Sequence, residues 1–204
     1  MIFAYLHHLY VDFAQPRFLQ DLGQISSYFI SIPAAVVSIF GCLTLVYALR
    51  MRWTLGSSLY FLDLMGWAIG GVGAVVDSTV AVNFHFHNTL WVPVHFHSYY
   101  LMGVVLMLLG FASHLGVELS GEPDSPGMRR AILALLIPGG YGFLAMFYWA
   151  GAHGVPRRYA VYPAEVEQGV TYGRISVFFV TLILLATLLY VWETGKRCYK
   201  ACSA

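Results

Sequence analysis

Five long apolar runs constrain this chain more than any other feature. A helix needs about 20 mostly apolar residues to cross the hydrocarbon core of a bilayer. Residues 24–49, 58–82, 93–117, 129–152 and 171–194 each supply that length. Arg50 and Arg52 close the first run, SGEPDSPG (120–127) parts the third from the fourth, and HGVPRRYAVYPAEVEQG (153–169) parts the fourth from the fifth. Charged residues make up only 10% of the chain, against about 25% in soluble domains. The expectation is an all-α integral membrane protein with about five transmembrane helices in a single domain, 1–204. A loop over 1–23 leads into the helices and a tail over 195–204 follows them. No internal repeat or low-complexity tract interrupts this plan.

The formal net charge of +1 argues against a nucleic-acid partner. Cys42, Cys198 and Cys202 show no metal or disulfide spacing and read as free thiols. The stretch MIFAYLHHLYVDFA lacks a basic n-region and carries a His pair and Asp12, so it does not read as a signal peptide.

Lysine and arginine placement orients the helices. One side holds seven, at Arg50, Arg52, Arg129, Arg130, Lys196, Arg197 and Lys200; the other holds four, at Arg17, Arg157, Arg158 and Arg174. The first side is the cytoplasmic candidate. That places the N-terminus outside, the C-terminus in the cytoplasm, and the unusual histidines towards the outer face. Arg157 and Arg158 run against the bias and call for an anionic partner there.

Those histidines concentrate in HNTLWVPVHFH (87–97). Residues i and i+2 of an α-helix point about 200° apart, so His95 and His97 cannot chelate one metal. They can bind two groups on opposite faces, and imidazole is a common axial ligand of haem iron. Two histidines hydrogen-bonded to neighbouring helices are the plainer reading of such a pair.

The string HNTLWVPVHFH resembles the helix-ten motif of subunit I of the haem–copper oxygen reductases (cytochrome oxidases). Asn88 with Trp91 and Pro93 resembles the B-type branch. The resemblance implies that His95 binds a high-spin haem iron and His97 a low-spin haem iron. It places His87 and Asn88 in the region of the haem propionates. His7-His8 in YLHHLYVD resembles the adjacent pair that binds the single copper ion, and imidazole suits copper. GVPRRY (154–159) resembles the outer loop after helix eleven, where Arg157 and Arg158 would meet haem propionates through planar guanidinium forks.

The resemblance spans the whole sequence and corresponds to helices eight to twelve of the family's twelve-helix bundle. It implies an enzyme, a haem–copper terminal oxidase of the prokaryotic plasma membrane that reduces dioxygen to water, with possible proton pumping. Its catalytic groups here would be His7, His8 and His95. A second polypeptide is expected to supply helices one to seven, making a split subunit I. Other expected partners are subunit II-like and further oxidase subunits and an electron donor, which is cytochrome c, a blue copper protein or a quinol. Two alternatives stay open: a nitric oxide reductase-like enzyme, and a non-catalytic haem-binding subunit of a respiratory complex.

The chain departs from the family pattern in two places. ISIPAAVVSIF (30–40) aligns with a helix that carries polar proton-channel residues, yet only Ser31 and Ser38 are polar here. Asn83 stands where the family usually carries Asp four residues before the first motif histidine, and Asp77 is a candidate to compensate. Asp63, an intramembrane carboxylate, is a proton-transfer candidate. His85 has no assignable role.

Overall fold

The computed structural model describes residues 3–203 apart from 13, 160 and 163 and the side chain of Gln168. Residues 1, 2 and 13 of the leading loop therefore lie outside the described residues, as do 160 and 163 of the 153–169 loop. The described elements are helical, and five helices are long and apolar enough to cross a membrane. They are α1 (Arg17–Ala48), α2 (Leu55–Ser78), a third span over 91–120, α6 (Pro126–Ala152) and α7 (Glu167–Ser203). A short helix α3 (Val80–Phe86) precedes the third span. That span begins as α4 (Trp91–Tyr99), widens into π turns over Tyr100–Val105, and continues as α5 (Leu106–Ser120). Residues Phe3–Leu9 form a 3₁₀ helix.

Local chemistry sets several boundaries. Thr54 opens α2 with a reciprocal cap: its hydroxyl accepts the Ser57 amide at 3.1 Å, and the Ser57 hydroxyl accepts the Thr54 amide at 2.8 Å. Gly121 closes α5 in the left-handed region, φ 66°, and Pro126 starts α6 where a missing N–H costs nothing. Two ends differ from the sequence expectation. α1 starts at Arg17 rather than near residue 24, its first turns holding an exposed Arg17–Asp21 pair at 3.0 Å. α7 runs on through the tail to Ser203, because its last turns are clamped by ion pairs to the loop before α6.

α2 is the central helix. Half of its most apolar window is buried, against 6% of the corresponding window of α1, so α1 lies at the edge. The core is a slab of Leu55, Leu59 and Leu62 from α2, Met102 and Leu106 from the third span, Ile132, Leu136 and Leu144 from α6, and Ala186 and Tyr190 from α7. Lipid tails are as apolar as these side chains, so close packing between the helices rather than removal from water holds this slab together. Gly66 lets the third span close on α2: a Cβ there would collide with the Met102 carbonyl oxygen. α1 instead presents Phe29, Val37 and Phe40 outward, each more than 60% exposed. That face suits lipid or further helices rather than water.

Candidate metal and haem centre

His7 and His8 sit on the 3₁₀ helix with ring centroids 4.0 Å apart. His7 is buried, and its Nδ1 lies 2.9 Å from the Ser27 hydroxyl of α1. Ser27 has one O–H, and backbone carbonyls lie within its reach: Gly23 at 2.8 Å and Ala4 at 3.3 Å. Its oxygen therefore accepts from His7 Nδ1–H, and the Nε2 of His7 carries the lone pair. That Nε2 is buried and has no hydrogen-bond partner among the described residues. Burial, then the neighbouring His8, pushes the His7 pKa down to about 3; burial also lowers that of His8. Both rings are neutral near pH 7, the form a metal requires.

α4 carries the second histidine pair on two faces. His95 is buried against α2, where a Cβ at Gly73 would come within 3.1 Å of its Nδ1. His97 faces α6, its ring centroid 5.9 Å from that of Phe143. Its Nδ1 donates to the Pro93 carbonyl one turn back at 2.6 Å, which leaves Nε2 as the open nitrogen. The i, i+2 spacing thus sends one imidazole to α2 and the other to α6. His7, His8 and His95 lie close enough for their charges to act on one another, so the fold brings the loop pair to the His95 face of the bundle.

The turn 87–90 and the loop 153–159 meet edge to edge at this end. The Leu90 amide donates to Val155 and the Arg157 amide to Asn88, both at 2.9 Å, around a Thr89–Pro156 bridge. Gly154 (φ 75°) and Arg158 (φ 69°) take left-handed backbone to make that fit. His87 is buried with its Nε2 3.2 Å from Asp12 Oδ1. Asn88 and Arg158 are exposed beside it. Arg157 is half-buried, within the electrostatic reach of Asp12 and Asp77, and its Nε has no partner among the described residues.

Buried polar atoms without partners are rare in folded chains, yet six of those among the described residues belong to the histidine pairs, Arg157 and their neighbours. They are His7 Nε2, Asp77 Oδ1, Asn83 Oδ1, Trp91 Nε1, His95 Nδ1 and Arg157 Nε. Asn83 spends its amide on the Asp77 carbonyl at 2.6 Å and the His7 carbonyl at 3.4 Å. It ties α2, α3 and the histidine loop together instead of facing a ligand with a carboxylate. Asp77 is buried near the Trp91 indole. Beside these groups an apolar recess of about 290 Å³ is lined by Ile69, Val72, Gly73, Val76, Trp91 and Tyr148.

This donor set fits the expected groups. Two neutral imidazoles on a loop suit a copper ion whose coordination is completed from elsewhere. Among the described residues no three His, Cys, Asp or Glu side chains gather as a metal set. Two open-nitrogen imidazoles on opposite helix faces suit two haem irons, and half-buried Arg157 with exposed Arg158 suits propionates.

Other histidines lie apart. His114 is exposed on α5, His85 is exposed on α3, and His153 is exposed and bonded to the Trp149 carbonyl at 2.8 Å. Asp63 is buried in α2 with Oδ1 unpartnered among the described residues. Sequence reading did not single out Ser27 or Asp12 as partners of His7 and His87, since nothing local couples residues 20 and 75 apart. Tyr148, whose hydroxyl lies 3.2 Å from that of Ser98, carried no signal either.

The family model described as "Cytochrome C and Quinol oxidase polypeptide I" matches residues 1–188. Cytochrome c oxidase subunit 1 of Thermus thermophilus is 27% identical over 209 residues, covering 91% of this chain and 36% of its own length. The subunit of that name from Thermostichus vulcanus is 27% identical over 201 residues, covering 96% and 36%. Cytochrome c oxidase polypeptide 1 of Halobacterium salinarum is 27% identical over 199 residues, covering 95% and 33%. Among solved structures, a cryo-EM heme-copper terminal oxidase dimer superposes with TM-score 0.80 at 18% identity, over 96% of this chain and 39% of that one. The chain spans about a third of the length of these curated relatives. A match over residues 1–188, together with five membrane-length helices, makes this multi-pass membrane protein a member of the cytochrome c and quinol oxidase polypeptide I family.

Proposed function

We propose that this chain provides the oxygen-site half of a B-type-like terminal oxidase that reduces dioxygen to water. The observation that carries the proposal is the seating of His7 and His8, neutral and with Nε2 of His7 open, towards the His95 face of α4. When bound, two haems and one copper ion supply the redox chemistry. His97 holds the haem on the α6 side, and His95 holds the one on the other face. His7 and His8 present imidazole nitrogens to copper, with further ligands from helices outside this sequence. Ser27 fixes the tautomer of His7. Arg157 and Arg158 take propionate carboxylates on the outer face, with His87 and Asn88 alongside.

Helices one to seven, on a partner chain, complete both sites in this reading. Subunit II-like and other oxidase subunits join them, and the electron donor is cytochrome c, a blue copper protein or a quinol. The histidine end faces outward from a prokaryotic plasma membrane, by the arginine and lysine bias. Proton translocation accompanies oxygen reduction in this reading. Residues 30–40 offer only Ser31 and Ser38 to a proton route along α1.

The test is metal and haem stoichiometry in the purified complex. His95→Ala and His97→Ala each remove one of two haems, seen as loss of distinct optical bands, and His7→Ala lowers the copper content. Two haems retained in both α4 variants would falsify the assignment.

A further inference from the structure

Two carboxylates of α2 are buried, Asp63 and Asp77, and each lies beside a tryptophan indole. Asp77 and Trp91 belong to the histidine end already described. Asp63 lies towards the other end of α2, one helical turn before Trp67, a spacing that sets two side chains next to each other. Its Oδ1 has no hydrogen-bond partner among the described residues. A carboxylate at such a place within a membrane span calls for a role.

Trp67 also ends a line of touching rings that starts at a candidate haem ligand. The Tyr99 ring meets the His95 imidazole edge to face, centroids 5.2 Å apart, and the Trp67 indole at 5.0 Å. Both separations are those of aromatic contact. Two glycines make room for the line: a Cβ at Gly70 would fall 2.7 Å from the Tyr99 ring, and one at Gly103 would fall 3.0 Å from the Trp67 indole nitrogen. The rings that Trp91 meets among the described residues are those of Phe86 and Tyr148, neither of them a haem ligand.

We propose that Trp67 is a redox-active side chain that gives an electron to the haem iron on His95 when a peroxide has oxidised that iron. This rests on the assignment of His95 in the terminal-oxidase reading. The electron crosses the Tyr99 ring and the His95 imidazole. An indole that has lost an electron is a strong N–H acid. Its Nε1–H bond therefore breaks, and the proton forms an O–H bond on the Asp63 carboxylate. Anionic Asp63 beside neutral Trp67 becomes neutral Asp63 beside a neutral indolyl radical, and one electron has passed to the iron. No isolated charge is left in the apolar interior, where it would be costly. The oxidising equivalent is drawn away from the ligating imidazole to a ring that is 40% exposed at the bundle face.

The assembled complex, with both haem bands present, is treated with hydrogen peroxide without electron donor, rapidly frozen and read by electron paramagnetic resonance. A radical signal is expected that narrows with ring-deuterated tryptophan and not with ring-deuterated tyrosine. Trp67→Phe is expected to abolish it. Tyr99→Leu is expected to weaken it, while Tyr99→Phe, which keeps the ring, preserves it. Asp63→Asn is expected to leave the indole radical protonated, seen as a hyperfine coupling that disappears in deuterium oxide, and Asp63→Glu to restore the deprotonated form. A signal that narrows with labelled tyrosine, survives Trp67→Phe, or is lost in Trp91→Phe with Trp67 intact overturns the proposal, as does the absence of any radical from a complex showing both haem bands. Missing haem bands in the wild type would instead overturn the assignment of His95 and His97.

Discussion

The Ser27 hydroxyl stands 2.9 Å from Nδ1 of His7, and this contact decides which nitrogen of that imidazole is open. The hydroxyl proton goes to a backbone carbonyl of its own helix or of the 3₁₀ helix. The ring must therefore donate from Nδ1 and keep its lone pair on Nε2.

Ser27→Ala removes the hydroxyl that accepts the buried Nδ1–H, at a cost of about 1–3 kcal/mol. It also releases the ring to the other tautomer. Loss of an outer-shell partner of this kind costs about 10–100-fold in metal affinity. Copper content of the purified complex should drop accordingly, measured by inductively coupled plasma mass spectrometry, and Ser27→Thr should restore it. Unchanged copper in the alanine variant would remove Ser27 from the role assigned to it.

The start of α4 is pressed against α6 at Gly151, where a Cβ would collide with the Trp91 amide nitrogen. Backbone cannot swing aside as a flexible side chain does. Gly151→Ala should destabilise the complex by about 1–3 kcal/mol and lower haem retention at His95. Gly127, in the first turn of α6, has open space where a methyl group would sit, with nothing within 4 Å. Gly127→Ala should leave the melting temperature unchanged or raise it, by up to about 1 kcal/mol in stability.

Gly154 supplies positive φ where the 153–159 loop turns back onto residues 88–90. Alanine there costs about 1–2 kcal/mol and should loosen the bridge. Hydrogen exchange at the Leu90 and Arg157 amides is the direct readout. Both should exchange faster in Gly154→Ala, while amides in the middle of α6 stay protected.

Asp124 accepts the Leu55 amide at 2.5 Å with one oxygen and faces Arg197 with the other. It thereby holds the start of α2 and the end of α7 to one loop. Arg197 keeps Glu193 at 2.8 Å when Asp124 is neutralised, so the cost falls below the about 3–5 kcal/mol of a buried charge stripped of its partner. Asp124→Asn should lower the melting temperature of the complex. Because the pair is buried, its contribution should persist at high salt, where exposed pairs such as Arg17–Asp21 are screened. A melting-temperature difference between the wild type and Asp124→Asn that vanishes with added salt would place the pair at the surface.

Five spans, their separating loops and the His-x-His geometry of residues 95 and 97 were legible in the sequence. Each rests on local periodicity: about 20 apolar residues reach across a bilayer, and two residues along a helix reverse a side chain's direction. The resemblance carried by HNTLWVPVHFH named the family that the match over 1–188 then showed. Asn83 was readable as a departure, but not its replacement duty as a clip between α2 and the His7 backbone.

What the order of residues determined by itself was the membrane-spanning helical class and the outward fan of imidazoles on one helix. What only the tertiary structure decided was the company those groups keep: Ser27 on His7, Asp12 on His87, the 153–159 loop on the 87–90 turn, and Arg197 on Asp124. Periodic hydrophobicity acts over a few residues and is written locally. Hydrogen bonds and ion pairs between segments 20 to 75 residues apart exist only once α2 has gathered the other spans around it.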